Sequence, residues 1–492
     1  MSTSTSKKPI TNKLLWIFAV GQFGWSLLSG IISTWLVHLY TGVHTAGSTN
    51  GIFGSLITQS PLFASITLFG LITAVGRIFD AVTDPLIAGL SDRAKFKGGR
   101  RIPFMRWIAI PFAAVTVGVF VLPQTASVSA NNVIIFVLLM LFYLFMTIYC
   151  TPYNALIAEL GDTQKHRINV STYISFTYIA GFSLATLIPS LAGMLEGVAG
   201  SQENAIRIAI GIMCAVAGIA MMIPAFVIKE RDYIDANPVK SPIFSSLIKS
   251  YKNPQFRRFV YADVIYFFAV TLFQTGLADF ETRLMLIPSD NTFLLTVIMT
   301  VVSLLLYPAV NKLAPKLGKK RMIIAGFFAY SVVFLITALS GTGMIWGIIV
   351  AVTAGIPMAI LGILPQACVA DVSELNTLET GEDRSGMFFA ARTFAMKMGQ
   401  ALSMVIYTSI TAAAVAIVKA NTDESGVETL SSELAHQIMG PYRIVAFVAT
   451  GACLLGALIF FLYNEKDIMK KIDSYKSEKT VSAPETPAED AQ

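Results

Sequence analysis

Apolar stretches of about 20 residues recur along this 492-residue chain, and they fix its solvent before they fix its fold. In hydrocarbon every backbone N–H and C=O must find its partner inside the protein, so consecutive spans of this kind must be α-helices. We count about twelve spans, the first at 14–40 and the last at 441–463. Charged residues make up 13% of the chain, against roughly 25% in a soluble protein. The expected class is therefore an all-α membrane protein lying in a lipid bilayer. The net charge of +6 does not point to nucleic acid, because the basic residues sit in short loops between spans. The first apolar stretch follows Lys7, Lys8 and Lys13, is too long for a signal peptide, and reads as the first span. Cys150, Cys214, Cys368 and Cys453 all fall in apolar segments and form no Cys-x-x-Cys pair, so neither disulfides nor zinc are expected.

The positive-inside rule sets an orientation. With the N-terminus in the cytoplasm, inner segments hold 29 of the 36 Lys and Arg residues. Outer segments hold four, Arg207, Arg283, Lys419 and Arg443, and Arg77, Arg392 and Lys397 lie within spans. Both termini are then cytoplasmic, in a multi-pass protein of the cell membrane, for which a bacterial inner membrane is favoured. The organisation expected is a six-helix half over 1–228, a cytoplasmic linker over 229–258, a second six-helix half over 259–463 and a disordered tail over 464–492. A weak repeat supports two halves. Ser91-Asp92-Arg93-Ala94-Lys95 with Gly98-Gly99-Arg100-Arg101 returns six spans later as Asn311-Lys312-Leu313-Ala314-Pro315-Lys316 with Gly318-Lys319-Lys320-Arg321. Parallel six-span repeats are the architecture of the major facilitator superfamily.

Charge inside the spans points to a site. Asp80 and Asp84 are one helical turn apart and share a face. A charge at mid-membrane costs roughly 2.5–3.5 kcal/mol on insertion scales, so two on one face require an answering cation, basic side chain or water. Thr83 adds an oxygen beside them, and oxygen ligands suit hard cations. The same two carboxylates are the candidate metal ligands. The alternative reading of the pair is structural, with Arg77 one turn before Asp80 or with Lys397. Lys397 lies too deep in its span to snorkel and reads as their counter-charge. Arg392 reads as structural, and Asp263 as part of a helix-end cluster with Arg257 and Arg258. Asp371 and Glu374 are expected to pair with Arg384. Asp92, Arg93, Arg100 and Arg101 read as a cytoplasmic gate or brace. His38, His44, His166 and His436 lie at span ends or in loops without metal-ligand spacing.

Three stretches carry a family resemblance. They are Arg77-Ile-Phe-Asp80-Ala-Val-Thr-Asp84-Pro85 with the loop at 99–101, Thr147-Ile-Tyr-Cys-Thr-Pro152-Tyr153-Asn154, and Pro365-Gln-Ala-Cys-Val-Ala-Asp371 continued by Thr380-Gly381-Glu382-Asp383-Arg384-Ser385-Gly386 and Thr393-Phe-Ala-Met-Lys397. The chain resembles the glycoside–pentoside–hexuronide:cation symporters, the major facilitator branch that includes the melibiose carrier. The resemblance implies a coupling-cation site at Asp80, Thr83, Asp84 and Thr147, with Na⁺ or H⁺ as the ion and no cofactor. It implies a substrate site drawn from Gln22, Trp25, Ser26, Tyr149, Cys150, Tyr153, Asn154, Thr393 and Lys397, with Lys397 linking the two. Ser26 and Cys150 stand where melibiose-type carriers have carboxylates, Asn154 where they have an aromatic and Ile174 where they have an arginine. Losing two charged acceptors favours weaker sugar binding or a different ligand, such as an anionic glycoside.

The expected function is cation-coupled symport of a sugar or glycoside by alternating access, by a monomer. Three readings compete with it: an intramembrane Mg²⁺-dependent transferase built on Asp80 and Asp84, a carrier of a non-sugar ligand such as a lysolipid, and a transporter-like receptor that binds ligand without moving it. The transferase would need a second acidic motif, and the eighth span at 291–310 carries no charge at all.

Overall fold

The computed structural model describes residues 8–41, 51–58, 61–63, 66–94, 96, 98–160, 164–233, 251–380, 385–421 and 432–481. Those residues are nearly all helical. The helices are α1 (Asn12–Tyr40), α2 (Leu68–Arg93), α3 (Ile102–Phe120), α4 (Val128–Leu160), α5 (Gln164–Leu184), α6 (Ile188–Ala199), α7 (Gln202–Val227), α8 (Pro254–Asp279), α9 (Thr292–Leu317), α10 (Lys319–Leu339), α11 (Met344–Thr380), α12 (Ser385–Asn421), α13 (Ser432–Phe460) and α14 (Glu465–Val481). A short antiparallel pair, β1 (Pro61–Phe63) and β2 (Ile66–Thr67), precedes α2.

Among the described residues, ten helical segments are long and apolar enough to cross a membrane. The helices α2 and α12 are not among them, and these two carry Arg77, Asp80, Asp84, Arg392 and Lys397. They pack against each other along their length. On α2, Leu71, Val75, Ile78, Val82, Leu86 and Leu90 recur every three or four residues and are exposed, while Thr73, Arg77 and Asp80 are buried. That is the reverse of a soluble amphipathic helix. The apolar stripe meets lipid, and the charged stripe is sheltered by protein.

Helices α1–α7 pack mainly on one another, and α8–α13 do the same. The main contacts between the two bundles are α2 with α12 and α1 with α8. The fifth span is broken into α5 and α6 by a 3₁₀ turn at Ala185–Leu187. Pro189 at the start of α6 cannot donate to the carbonyl four residues back. That carbonyl, Ala185, instead accepts from Trp35 Nε1 of α1 at 2.7 Å.

Two related clasps hold the loops of the repeat. Glu230, just after α7, accepts backbone N–H bonds from Arg100, Arg101 and Ile102 at 2.8–3.0 Å, at the start of α3. Glu465, just after α13, accepts from Lys319 and Lys320, both at 2.8 Å, at the start of α10. A carboxylate at a helix N-terminus meets the unpaired N–H groups and the positive end of the dipole. Gly99 (φ 119°) and Gly318 (φ 88°) make the turns just before these donors, in a region costly for any side chain.

Two expected boundaries change. The tail is not disordered from 464: α14 folds along α11 and buries Ile468 and Ile472, because its apolar residues keep a helical spacing. Residues 482–492 lie outside the described residues. The linker ends sooner than 258, since Pro254 opens α8 and Asn253 caps it by accepting from the N–H groups of Gln255 and Phe256. Of the expected linker, 234–250 lie outside the described residues.

Candidate functional site

The charged faces of α2 and α12 meet in a buried cluster. Lys397 Nζ lies 2.7 Å from Asp80 Oδ2 and 2.5 Å from Asp84 Oδ2. Helix α4 closes the other side with Tyr143, Thr147 and Thr151, spaced four apart on one face. Thr147 Oγ1 donates to Asp80 Oδ1 at 2.6 Å, and Thr151 Oγ1 reaches Asp84 Oδ1 at 3.4 Å. Thr83 Oγ1 donates to the Asp80 carbonyl at 3.1 Å and lies 3.4 Å from Thr147 Oγ1. The structure thus brings together Asp80, Thr83, Asp84, Thr147 and Lys397, and adds Thr151. Arg77 lies over the Tyr143 ring, 5.1 Å from its centroid, rather than against Asp80.

With both carboxylates ionised, the groups in direct contact, two carboxylates and one ammonium, leave one negative charge, and the Arg77 guanidinium stands apart from them over the Tyr143 ring. The Asp80 side chain is fully buried, whereas that of Asp84 is 27% exposed. The Lys397 ammonium occupies the point between the carboxylates where a shared cation would sit. The oxygen set suits Na⁺, and the same carboxylates could accept a proton.

A cavity of about 420 Å³ lies between the bundles. That volume is in the usual range for a small-molecule site. Its polar lining includes three amides, Gln22 of α1, Gln274 of α8 and Gln366 of α11, with Ser175, Tyr178, Ser303 and Tyr307. The charged group in its wall is Arg392. Arg392 is held by Asp263 in a two-point contact at 2.8 and 3.1 Å, and its guanidinium lies over Phe267. Asp263 therefore pairs with Arg392, not with Arg257 or Arg258 as expected. A smaller annex of about 100 Å³ shares Tyr178, Gln274, Thr300 and Met358 with the main cavity and adds Phe182, Phe273 and Leu277. Its wall is mostly apolar.

Of the nine residues expected around the substrate, only Gln22 lines this cavity. Trp25 donates to Gln22 Oε1 at 3.2 Å and stands beside Tyr178. Ser26 faces Gly181 at a close crossing of α1 and α5, where an added Cβ would strike its hydroxyl. Tyr149 and Tyr153 are fully buried supports: their hydroxyls bond the carbonyls of Met221 and Phe18. Cys150 is half-buried, Thr393 is half-buried, and Asn154 is exposed. Lys397 belongs to the ion cluster. A span's sequence shows which residues are polar or aromatic, not which face meets the cavity.

Sequence reasoning missed Ser175, Tyr178, Gln274, Gln366 and Arg392 as wall residues. The usable signal was the set of three glutamines deep in apolar spans. At the expected gate, Arg100 and Arg101 offer backbone N–H groups to Glu230, which braces the loop against the end of α7. The side chains of Asp92 and Arg93 lie outside the described residues, as do Gly381, Glu382, Asp383 and Arg384. Asp371 pairs with Lys319.

A second buried cluster also joins the bundles, near the C-terminal ends of α1 and α8. His38 Nδ1 is 2.7 Å from Asp279 Oδ1, and Arg283 Nε lies 3.1 Å from the same oxygen. Tyr407 of α12 donates to Asp279 Oδ2.

Residues 17–467 match the family model described as MFS/sugar transport protein, and the chain belongs to that family. An uncharacterized symporter of Bacillus subtilis (strain 168), YnaJ, is 23% identical over 79% of this chain and 80% of its own length. The isoprimeverose transporter of Lactiplantibacillus pentosus is 23% identical over 78% of this chain and 77% of its own. The sodium-dependent lysophosphatidylcholine symporter 1 of Xenopus tropicalis is also 23% identical, over 84% and 82%. Among solved structures, an inward-facing bacterial homolog of the lysosomal transporter Spinster superposes with a TM-score of 0.66 at 13% identity, covering 96% of this chain and 99% of that one. The D-xylose-proton symporter gives 0.63 at 14% identity, over 91% and 97%. The protein is a multi-pass membrane protein with the major facilitator fold. Its relatives and structural neighbours are transporters, not enzymes.

Proposed function

We propose that this protein is a secondary active transporter that carries a neutral, hydroxyl-rich small molecule, a sugar or glycoside, together with Na⁺ or H⁺. The observation that carries this reading is the α2–α12 cluster, where two carboxylates share one ammonium and one negative charge remains. A single monovalent cation neutralises it. On binding Asp80 and Asp84, with Thr83 and Thr147 as further oxygen donors, the cation takes over part of the carboxylate contact that Lys397 holds, while the ammonium stays in the cluster. Because the carboxylates stand on α2 and the ammonium on α12, that exchange changes the attraction between the two bundles. This links ion occupancy to which side of the membrane the cavity faces, and the coupling is reciprocal. The bundles over 1–228 and 259–463 act as the two rocking halves of a monomer in the cell membrane, with both termini in the cytoplasm.

The cavity wall supports a neutral ligand rather than an anionic glycoside. Lys397 is engaged away from the cavity, and Arg392 already faces Asp263. Ser26 and Cys150 do not stand in the wall, so the acids missing there leave no positive field in it. Amides, hydroxyls and tyrosines are suited to uncharged hydroxyls. The apolar annex favours a second reading, in which the substrate bears an alkyl or aryl arm. The lysophosphatidylcholine relative is consistent with such an amphiphile.

The test is a thermal-shift screen of the purified protein. A ligand that binds only the folded state raises the melting temperature. Na⁺ or acidification should stabilise the protein, and neutral glycosides should add to that effect. Asp84→Asn should remove the ion effect. Stabilisation by charged sugars alone, or an undiminished Na⁺ effect in that variant, would overturn the reading.

A further inference from the structure

The α8 helix ends in a π-helical turn, Phe280–Leu284. Such turns are rare and often mark functional positions. Two charged residues at this turn, Asp279 and Arg283, belong to the cluster with His38 and Tyr407 already described. The third, Glu281, does not. It is 4% exposed, its Oε2 has no hydrogen-bond partner, and no ion pair reaches its carboxyl among the described residues.

Its surroundings are apolar. It lines a small pocket with Leu295, Thr296 and Met299 of α9 and Gly347, Val350 and Ala351 of α11. Neither wall offers a titratable group, and the Thr296 hydroxyl is donated to the Thr292 carbonyl at 3.0 Å. The charged and titratable groups around the turn are engaged elsewhere. Asp279 holds His38 of α1 and Tyr407 of α12. Arg283 bonds Asp279 and lies over the ring of Tyr442 of α13, 5.7 Å from its centroid. Arg443 of α13 donates to the Ser340 carbonyl at 3.4 Å. An ionised carboxylate without a partner is not tolerated in such a setting, and the group sheds its charge by binding a proton. The pocket shares Phe273, Leu277, Thr296 and Met299 with the annex of the central cavity. One layer of side chains thus separates Glu281 from the route between the bundles.

We propose that Glu281 is a proton-binding site of this protein, separate from the Asp80/Asp84/Lys397 cluster. In the state described, it is a neutral carboxylic acid. When the annex wall shifts and admits water, its O–H bond breaks, the proton passes to water, and the carboxylate is left hydrated. Reclosure requires the proton to return. The part this proton plays in transport rests on the symport reading above, whereas its presence on Glu281 does not.

Infrared spectroscopy of the full-length protein in detergent, wild type minus Glu281→Gln at neutral pH, tests the site directly. The difference should contain one protonated-carboxyl C=O band, shifted in D₂O. A carboxylate band in its place would overturn the proposal. Glu281→Leu should be at least as heat-stable as the wild type, because an apolar side chain suits the pocket. A large loss of stability there would reveal an ionised, partnered glutamate and also overturn it. Lactose uptake into proteoliposomes, read with a pH dye, separates the two claims. If lactose moves in neither protein, lactose is struck out as the substrate, and the infrared difference still decides Glu281.

Discussion

Two buried charge clusters tie the same two bundles together, and they are built differently. At the α2–α12 contact, two carboxylates share one ammonium, and the side chain of one of them, Asp84, is 27% exposed. At the α1–α8 contact a single carboxylate, Asp279, faces His38, Arg283 and Tyr407, and both His38 and Asp279 are buried. The first cluster is short of positive charge and open enough to admit an ion. In the second, both oxygens of the one carboxylate are occupied, by three neighbouring groups. Unbalanced buried charge makes a site, and saturated buried charge makes a fastening.

The largest expected effect comes from removing the shared cation. Lys397→Ala leaves two carboxylates facing each other with no counter-charge, and breaking a buried pair costs about 3–5 kcal/mol. Denaturation in detergent should show that loss, and adding Asp80→Asn should recover part of it. Full stability in Lys397→Ala would mean the carboxylates find another partner.

Next in size is the fastening. Asp279→Asn replaces one of the two acceptor oxygens that join α1 to α8 with an NH₂ donor and removes the charge, and it should cost roughly 1–3 kcal/mol, the penalty for stranding buried polar groups. It should also free the ends of the two helices. A cysteine at Thr34, in the annex wall on α1, should then react faster with a thiol reagent in an otherwise cysteine-free protein. An unchanged labelling rate would mean that the α1–α8 contact does not limit access.

Asp84→Asn sharpens the contrast further. It leaves Asp80 and Lys397 as a balanced pair, so stability should change by under about 1 kcal/mol, as for a partly exposed ion pair. Na⁺- or H⁺-stimulated uptake should nevertheless vanish. If Asp84→Asn retained full ion stimulation, the negative charge would not be the binding determinant.

The smallest effect belongs to a pair outside both clusters. Lys8 contacts Asp232 at 2.6 Å in an exposed position, and that contact holds the Asp232 carboxyl below its usual range. The sign is that of a depressed acid: any contribution is present above the unfolded pKa and fades as pH falls through the folded one. Asp232→Asn should leave the melting temperature at neutral pH unchanged within error, which calibrates the other three.

The spans and the α2–α12 cluster were legible in the sequence for the same reason. Apolar runs are unmistakable, and charges inside them are too costly to be accidental. Lys397 could be matched to Asp80 and Asp84 because few other charges lie so deep. The second cluster was not legible, since His38 and Asp279 fall at span ends where polar residues are ordinary. That Ser26, Tyr149 and Tyr153 stand outside the cavity wall was not legible, because residue type in a span does not tell which face it uses. Glu230 and Glu465 look like any acid after a span, and their partners lie more than a hundred residues away. The tail failed for a similar reason: the apolar spacing of Ile468 and Ile472 is submerged in a charged stretch.

Those two acids have a mechanical consequence. Each clasp fastens the segment after the last span of its bundle to the start of that bundle's third span, so each bundle is hooped at one rim by its own chain. Neither hoop crosses to the other bundle. A swing of one bundle against the other would therefore leave both intact, and would work mainly on the contacts where α2 meets α12 and α1 meets α8. Each bundle is thus tied to itself and not to its neighbour, which is what a lever needs and a sponge lacks.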